Sequence, residues 1–378
     1  VRILISAGEA SGDLHAADVV KALGKQSSDI EISGIAGERM KKAGCQELVP
    51  MAQLNTMGLS DVIAALPRIR RAEKTVLEWA SVHQPDVAIL VDYPGLHMRM
   101  GRHLRRLGIP VLHYIAPKLW SWGVWRARRL ARSQDKLACI LPFEPEWFAR
   151  HGISAAYVGN PTAATSHGGW SRAELCERYD LKQGEPVLAL LPGSRPGEIQ
   201  RHAPLLGGLL AALSKRMPTV QFVAPRAPGV SESSLLPLTE KGAILVDRTA
   251  DGYALRADAA VAVSGTATLE LALWDVPTVL IYRSTPLTIA IARLLATVEC
   301  IGLANILLGQ RKVMPELIQD DCTLDGIISH LAPLLQGGDA AQDQRNEFAR
   351  LRQILGEADP AAKVARMAIN MTGNQAAG

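Results

Sequence analysis

Short β-rich apolar runs alternate with longer amphipathic stretches along nearly the whole chain, and this alternation constrains the fold more than any other feature. Strand-like runs separated by helix-length segments do not pair as hairpins; they build parallel sheets covered by helices. The first half offers such runs at 3–6, 30–35, 87–91, 111–114, 137–140 and 156–158. The second half offers them at 187–191, 219–223, 244–246, 259–263 and 278–281. Two successive series in 378 residues exceed what one ordinary core holds. The predicted fold class is therefore α/β, with two Rossmann-like domains facing a cleft. Gly159, Asn160, Pro161, His167, Gly168 and Gly169 break both periodicities, so the boundary is expected there. The domains are expected at 1–165 and 166–354. After Thr323 only helical patterning remains, and Asp359-Pro360 precedes a last segment at 359–371. This helical C-terminal tail, about 355–378, is expected to pack back on the first domain or on a partner protomer.

A composition of 48% hydrophobic and 21% charged residues is that of a globular chain. The net charge of +4 is small for this length, and nucleic acid is not an expected partner. Basic residues still bunch at Arg68, Arg70 and Arg71, and at Arg126, Arg128, Arg129 and Arg132. They read either as solvated helix faces or as contacts to an anionic surface. The five cysteines are scattered and never spaced CxxC, which fits a reducing compartment and neither a disulfide framework nor a zinc site. No signal peptide precedes the first strand, so a cytoplasmic location is expected. The apolar stretch 288–308 contains Arg293, Glu299, Gly302 and Asn305, and is expected as helix, loop and helix rather than as a membrane span.

Four strand-to-helix turns carry small or polar residues at the edge where such sheets present ligands. The first holds Gly8, Glu9, Ser11, Gly12 and Asp13, suited either to close backbone approach or to a tight turn in which Ser11 or Asp13 caps the next helix. Its spacing is not GxGxxG, so a dinucleotide site is disfavoured. The second, LPGSRPGE at 191–198, combines Gly193 and Ser194 with Arg195, whose guanidinium suits a diphosphate. Glu198 there satisfies the helix start or orients Arg195. The third holds Ser264, Gly265 and Thr266, with Glu270 a turn further on and within reach of ribose hydroxyls. The fourth, VDYPG at 91–95, ends a strand with Asp92, a candidate general base or an N-cap. His15 competes with Asp92 for the role of base. No Walker lysine motif, HExxH or DxD occurs, so no metal site is expected, and a leaving diphosphate would rely on Arg195 and helix dipoles.

Taken in order, AGEASGD (7–13), VDYPGLH (91–97), PKLWSW (117–122), LLPGSRPGEI (190–199), SGTATLE (264–270), YRSTP (282–286), NIL (305–307) and PEL (315–317) resemble the motifs of lipid-A-disaccharide synthases. The resemblance spans most of the chain, and the combination is far more specific than any one motif. It implies a GT-B fold and an inverting, metal-independent glycosyltransferase acting in lipid A biosynthesis, with no cofactor. The implied donor is UDP-2,3-diacylglucosamine and the implied acceptor 2,3-diacylglucosamine 1-phosphate (lipid X). By the same resemblance Asp92 is the catalytic aspartate, Arg195 the arginine of the nucleotide loop, and Ser264, Gly265, Thr266, Glu270 and Asn305 belong to the UDP side. Gly95, His97 and Asn160 depart from commoner family residues and bear on acceptor recognition.

Acyl chains also give a purpose to the stripe Met57, Leu59, Val62, Ile63, Leu66 and Ile69, and to Trp120 and Trp122. These are expected to contact acyl chains or the inner-membrane surface, making the enzyme peripheral on its cytoplasmic face, although core packing explains the stripe as well. A homodimer through the C-terminal helices is the assembly left open. The alternative functions are another UDP-GlcNAc enzyme of the same architecture, a 2-epimerase or N-acetylglucosaminyltransferase, or a non-catalytic UDP-sugar-binding protein.

Overall fold

The structure, a computed structural model, describes residues 1–27, 29–54, 59–166, 168–250 and 253–373. The chain divides into two compact units, Val1–Ala164 with Glu357–Gly378, and Thr165–Gly356.

The first unit holds seven strands: β1 (Arg2–Ala7), β2 (Glu31–Ala36), β3 (Gln46–Pro50), β4 (Val87–Val91), β5 (Val111–Tyr114), β6 (Lys136–Cys139) and β7 (Ala155–Tyr157). They lie in the order β3-β2-β1-β4-β5-β6-β7, all parallel. Because successive side chains of a strand alternate, β1 sends Ile3, Ile5 and Ala7 to one face and Leu4 to the other. Val19, Val20 and Leu23 of the helix Ala10–Gln26 cover the first face, together with Val364, Ala365 and Ala368 of the helix Pro360–Thr372. The helices Leu59–His83 and Pro94–Arg106 cover the second with Ile69, Val76, Met100 and Leu104. The central strands are buried on both faces, so they read as unbroken apolar runs rather than alternating ones.

The second unit repeats the plan with β8 (Val187–Leu191), β9 (Gln221–Arg226), β10 (Ile244–Asp247), β11 (Ala259–Val263), β12 (Thr278–Tyr282) and β13 (Glu316–Ile318). Their order is β10-β9-β8-β11-β12-β13, again all parallel. The helices Pro196–Arg216 and Leu324–Leu335 pack Leu206, Leu209, Leu213, Ile327 and Leu331 against one face.

The stretch 288–308 forms the helices Pro286–Leu295 and Leu303–Leu307 with a loop between them. Among the described residues no helix is long and apolar enough to cross a membrane. The last helix begins at Pro360, with the Asp359 side chain accepting the Ala362 N–H at 2.9 Å. It lies against the helix Ala10–Gln26 of its own chain.

Candidate active site

In an open parallel sheet the strand order reverses at one point, and the two loops leaving the carboxyl ends there diverge to opposite faces, opening a crevice. In the first unit the reversal falls between β1 and β4, and Ala7 pairs with Val91. The loop starting at Gly8 and the turn starting at Asp92 therefore leave the sheet side by side. In the second unit it falls between β8 and β11, with Leu191 beside Ala262. There the loop 192–195 and the loop 264–266 flank the crevice. The four turns singled out in the sequence are thus the four switch-point loops.

Asp92 is half-buried at the end of β4 and has a left-handed backbone, φ 50°, followed by Tyr93 at φ 48°. Two successive residues in that region cost energy unless neighbours hold them. The Asp92 N–H donates to Tyr114 O at 2.8 Å, and the Asp92 carbonyl accepts from His97 Nδ1 at 2.6 Å. Burial raises the Asp92 pKa, as does the nearby Glu9 charge; the Tyr93 N–H and Lys118 partly offset them. The carboxylate is therefore a better proton acceptor than an exposed aspartate. His97 is fully buried, its pKa pushed down to about 4, and its Nε2 lies 2.8 Å from Ser6 Oγ. Gly8 faces the Tyr93 ring so closely that a Cβ there would stand 2.2 Å from Tyr93 Cγ.

In the first loop Glu9 and Ser11 are exposed, and Gly12 is buried against Ala7, where a Cβ would meet Ala7 Cβ at an ordinary contact distance of 3.5 Å. Neither Ser11 nor Asp13 caps the helix Ala10–Gln26. Asp13 is instead buried and accepts the N–H groups of Gly37, Arg39 and Met40, each at 3.1 Å. It caps the helix Glu38–Lys42, whose own cap residue, Gly37, has no side chain and could not have one: a Cβ would stand 2.4 Å from Asp13 Cγ. His15 is half-buried, and burial lowers its pKa against the opposing pull of Asp18.

In the second unit Gly193 is left-handed at φ 112°, and a Cβ there would strike Glu198 at 2.7 Å. Glu198 Oε2 accepts the N–H groups of Ser194 and Arg195 at 3.1 and 3.2 Å, while its Oε1 pairs with Arg195 Nη1 at 3.3 Å. Glu198 thus satisfies the helix start and tethers Arg195, whose side chain remains 80% exposed. Across the crevice Gly265 and Thr266 are exposed at the start of the helix Thr266–Leu273, which has no side-chain cap. Ser264 Oγ is engaged by Ile301 O at 2.9 Å, and Glu270 is ion-paired with Arg248. Asn305 departs from its expected ligand role. It is buried, donates to Met314 O and Glu316 Oε1 at 2.8 Å each, and accepts from Met314 N at 2.9 Å. Its polar atoms are spent on internal architecture.

Trp120 departs likewise from the surface contact expected of it. It is 5% exposed, and its indole N–H donates to the buried Glu144 carboxylate at 3.0 Å. Trp122 and Trp125 are 50% and 63% exposed, with Arg126 over the Trp122 ring. On the helix Leu59–His83, Leu66 is exposed and Ile69 buried; Met57 lies outside the described residues, and the side chains of Leu59, Val62 and Ile63 are not described.

Sequence reasoning missed Glu144, His202, Arg248 and Glu316. His202 Nδ1 donates to Glu198 O at 2.7 Å and Nε2 accepts the Arg283 N–H at 2.8 Å, tying the Arg195 helix to the end of β12. Glu316 receives the N–H groups of Ile301 and Gly302. Its place in the PEL motif was the available signal. Among the described residues no cluster of three His, Cys, Asp or Glu is placed to hold a metal ion. A groove of about 570 Å³ in the second unit is lined by Gln344 and Pro315. Gln344 binds the Thr278 N–H at the start of β12, which puts this groove at the edge opposite the switch point.

Two all-parallel sheets, each with its polar loops gathered at the switch point, define a protein of the GT-B class. The fold matches the UDP co-structure of MnaA from S. aureus (TM-score 0.64, 12% identity, 99% of this chain and 96% of that one). It also matches Arabidopsis thaliana UGT89C1 complexed with UDP (0.63, 12%, 98% and 99%) and MurG of Acinetobacter baumannii (0.56, 14%, 98% and 99%). Identities this low speak for the fold alone. The chain belongs to the lipid-A-disaccharide synthase family, glycosyltransferases of lipid A biosynthesis: the family model described as lipid-A-disaccharide synthetase matches residues 3–368. Lipid-A-disaccharide synthases of Geobacter sulfurreducens and Myxococcus xanthus are each 36% identical to it, over 99% and 98% of this chain and 98% and 97% of theirs. That of Coxiella burnetii is 31% identical over 98% of both. Family membership, and not the fold, separates the chain from the epimerases and other transferases of this architecture.

Proposed function

We propose that the enzyme transfers 2,3-diacylglucosamine from UDP-2,3-diacylglucosamine to the 6-hydroxyl of lipid X. The reaction inverts the anomeric centre, needs no metal ion, and yields the β-1′,6-linked disaccharide 1-phosphate and UDP. The observation that carries this reading is Asp92, a carboxylate of raised pKa held at the end of β4. It takes the 6-hydroxyl proton while that oxygen bonds to the anomeric carbon and the bond to the UDP phosphate breaks. The charge that develops on the diphosphate is met by Arg195 and by the uncapped helix start at Thr266. In this reading the first unit serves the acceptor and the second the donor.

The acylated substrates reside in a bilayer, so the enzyme docks peripherally on the cytoplasmic face of the inner membrane. The exposed Trp122 and Trp125 beside Arg126, Arg128, Arg129 and Arg132 support that docking, since indoles favour the headgroup level and arginines an anionic leaflet. A homodimer would form if the helix Pro360–Thr372 made its contacts with a partner's helix Ala10–Gln26; analytical ultracentrifugation would detect it.

The test is turnover of lipid X and acylated donor in EDTA, with products identified by mass spectrometry. Disaccharide 1-phosphate is expected, and Asp92→Asn should abolish it. Near-normal turnover in Asp92→Asn with an inactive His15→Ala would move the base to His15, whose half-buried ring has a lowered pKa and could also accept a proton. Loss of activity in EDTA would overturn metal independence.

A further inference from the structure

We propose that His97 is a positioning residue for Asp92: its imidazole links the end of β1 to the Asp92 backbone and so fixes where the carboxylate points. The inference rests on Asp92 being the base and adds a second residue to that machinery.

The hydrogen bonds determine the tautomer. The Asp92 carbonyl can only accept, so His97 Nδ1 at 2.6 Å carries the proton. Nε2 then presents a lone pair, and Ser6 Oγ at 2.8 Å donates to it. The ring is fully buried and stays neutral across the working pH range. It touches the Asp92 carbonyl and not the carboxylate, so it acts through the backbone rather than by moving a proton.

What it holds is a conformation that local energetics oppose. Asp92 and Tyr93 are both left-handed, neither is glycine, and the neighbouring N–H to Tyr114 O bond fixes only one side of the Asp92 residue. The imidazole fixes the other side, and Ser6 anchors the imidazole to the strand that carries the first loop. Two loops flanking one crevice are thereby locked in register through a single side chain. Facing Asp92 are Glu9 from the loop after β1, Lys118 from the loop after β5, and Tyr93 beside it. Edge-on to His97 at 6.2 Å is the buried, neutral His113. If the left-handed turn relaxes, the carboxylate gains solvent and its pKa falls toward that of an exposed aspartate.

Two amides divide the bonds of the ring. Asn places an amide where Nδ1 stands and keeps donation to Asp92 O; Gln places one where Nε2 stands and keeps Ser6 alone. In the full-length enzyme with lipid X and acylated donor, His97→Gln should lower kcat by about tenfold to a hundredfold, the loss expected of a misplaced reacting group. KM should change little, and the acid limb of the kcat/KM profile should move to lower pH. His97→Asn should recover most of that loss, and Ser6→Ala should lower kcat in the same direction by less. Independently of turnover, ¹⁵N spectra of the wild-type imidazole should show Nδ1 protonated and Nε2 bare at neutral pH, which also serves if His97→Gln does not fold. An Nε2–H tautomer, an unmoved acid limb with normal kcat in His97→Gln, or equal losses in the Asn and Gln variants would overturn the proposal. Full turnover in Asp92→Asn would remove the base itself and the positioning role with it, while leaving the imidazole spectrum as expected.

Discussion

Glu144 offers a sharp test of the physical reasoning because burial and hydrogen bonding oppose each other on one carboxyl group. It is almost wholly buried, and burial pushes its pKa up from 4.5 to about 7. The N–H groups of Trp120 and Leu141, at 3.0 Å each, and the Lys118 charge pull it back only partly. Cys139 and Tyr157 also feel Glu144, but both are pushed above the pH range concerned. The folded pKa lies above the unfolded one, so the folded state holds the proton more tightly. The associated stability is complete below about pH 4.5, declines as pH rises, and is gone above about pH 7. A rise from 4.5 to about 7 corresponds to about 3 kcal/mol. Glu144→Gln keeps the shape and cannot ionise. Its stability relative to wild type should therefore improve by about 2–3 kcal/mol between pH 5 and pH 8. For a unit of this size that is about 5–10 °C in melting temperature. Calorimetry of both proteins at pH 5, 6, 7 and 8 would measure it. Parallel profiles, with a difference that does not move with pH, would refute the claim that desolvation dominates at this site.

Three further outcomes follow from the loops. Asp13→Ala strands three N–H groups at the start of the helix Glu38–Lys42 and should cost the first unit about 3–5 kcal/mol, read by urea unfolding. Gly193→Ala adds a Cβ at φ 112° against Glu198; it should displace that carboxylate and weaken UDP binding about tenfold by calorimetric titration, an effect of about 1.4 kcal/mol. Arg195→Ala should weaken UDP binding and slow transfer, with Arg195→Lys restoring only part because an ammonium cannot form the same fork; full rescue by Lys would count against bidentate diphosphate recognition.

The sheets were legible because central strands of a parallel sheet are buried on both faces and leave an unbroken apolar imprint, as in VAILV at 87–91 and AAVAV at 259–263. The two strands that were not legible, β3 and β13, are sheet edges with sequences QELVP and ELI. β3 is only partly buried, and β13 is three residues long with a buried glutamate, so neither leaves an apolar run to read. The four crevice loops were legible because glycine and small polar residues after a strand have a local cause. The fate of Asp13, Asn305 and Trp120 was not, because each is decided by a partner distant in sequence. Asp13 is claimed by 37–40, Asn305 by Met314 and Glu316, and Trp120 by Glu144. A polar residue in a ligand-like motif and a polar residue that builds the motif's scaffold look alike until the partner is known.

That distinction bears on how an anion would be held. At the helix start after β8, the N–H groups of Ser194 and Arg195 are already taken by Glu198, and its negative charge stands where a diphosphate would otherwise profit from the helix dipole. At 301–302 the amides are likewise taken by Glu316. The start of the helix Thr266–Leu273 differs: it is exposed, has glycine at its cap and carries no side-chain acceptor. In the proposed donor site, backbone donation to a phosphate would therefore fall to 265–266, and the loop after β8 would offer the Arg195 guanidinium rather than its amides. On that reading Glu198 tethers the exposed Arg195 side chain and keeps the neighbouring amides from competing for the same oxygens.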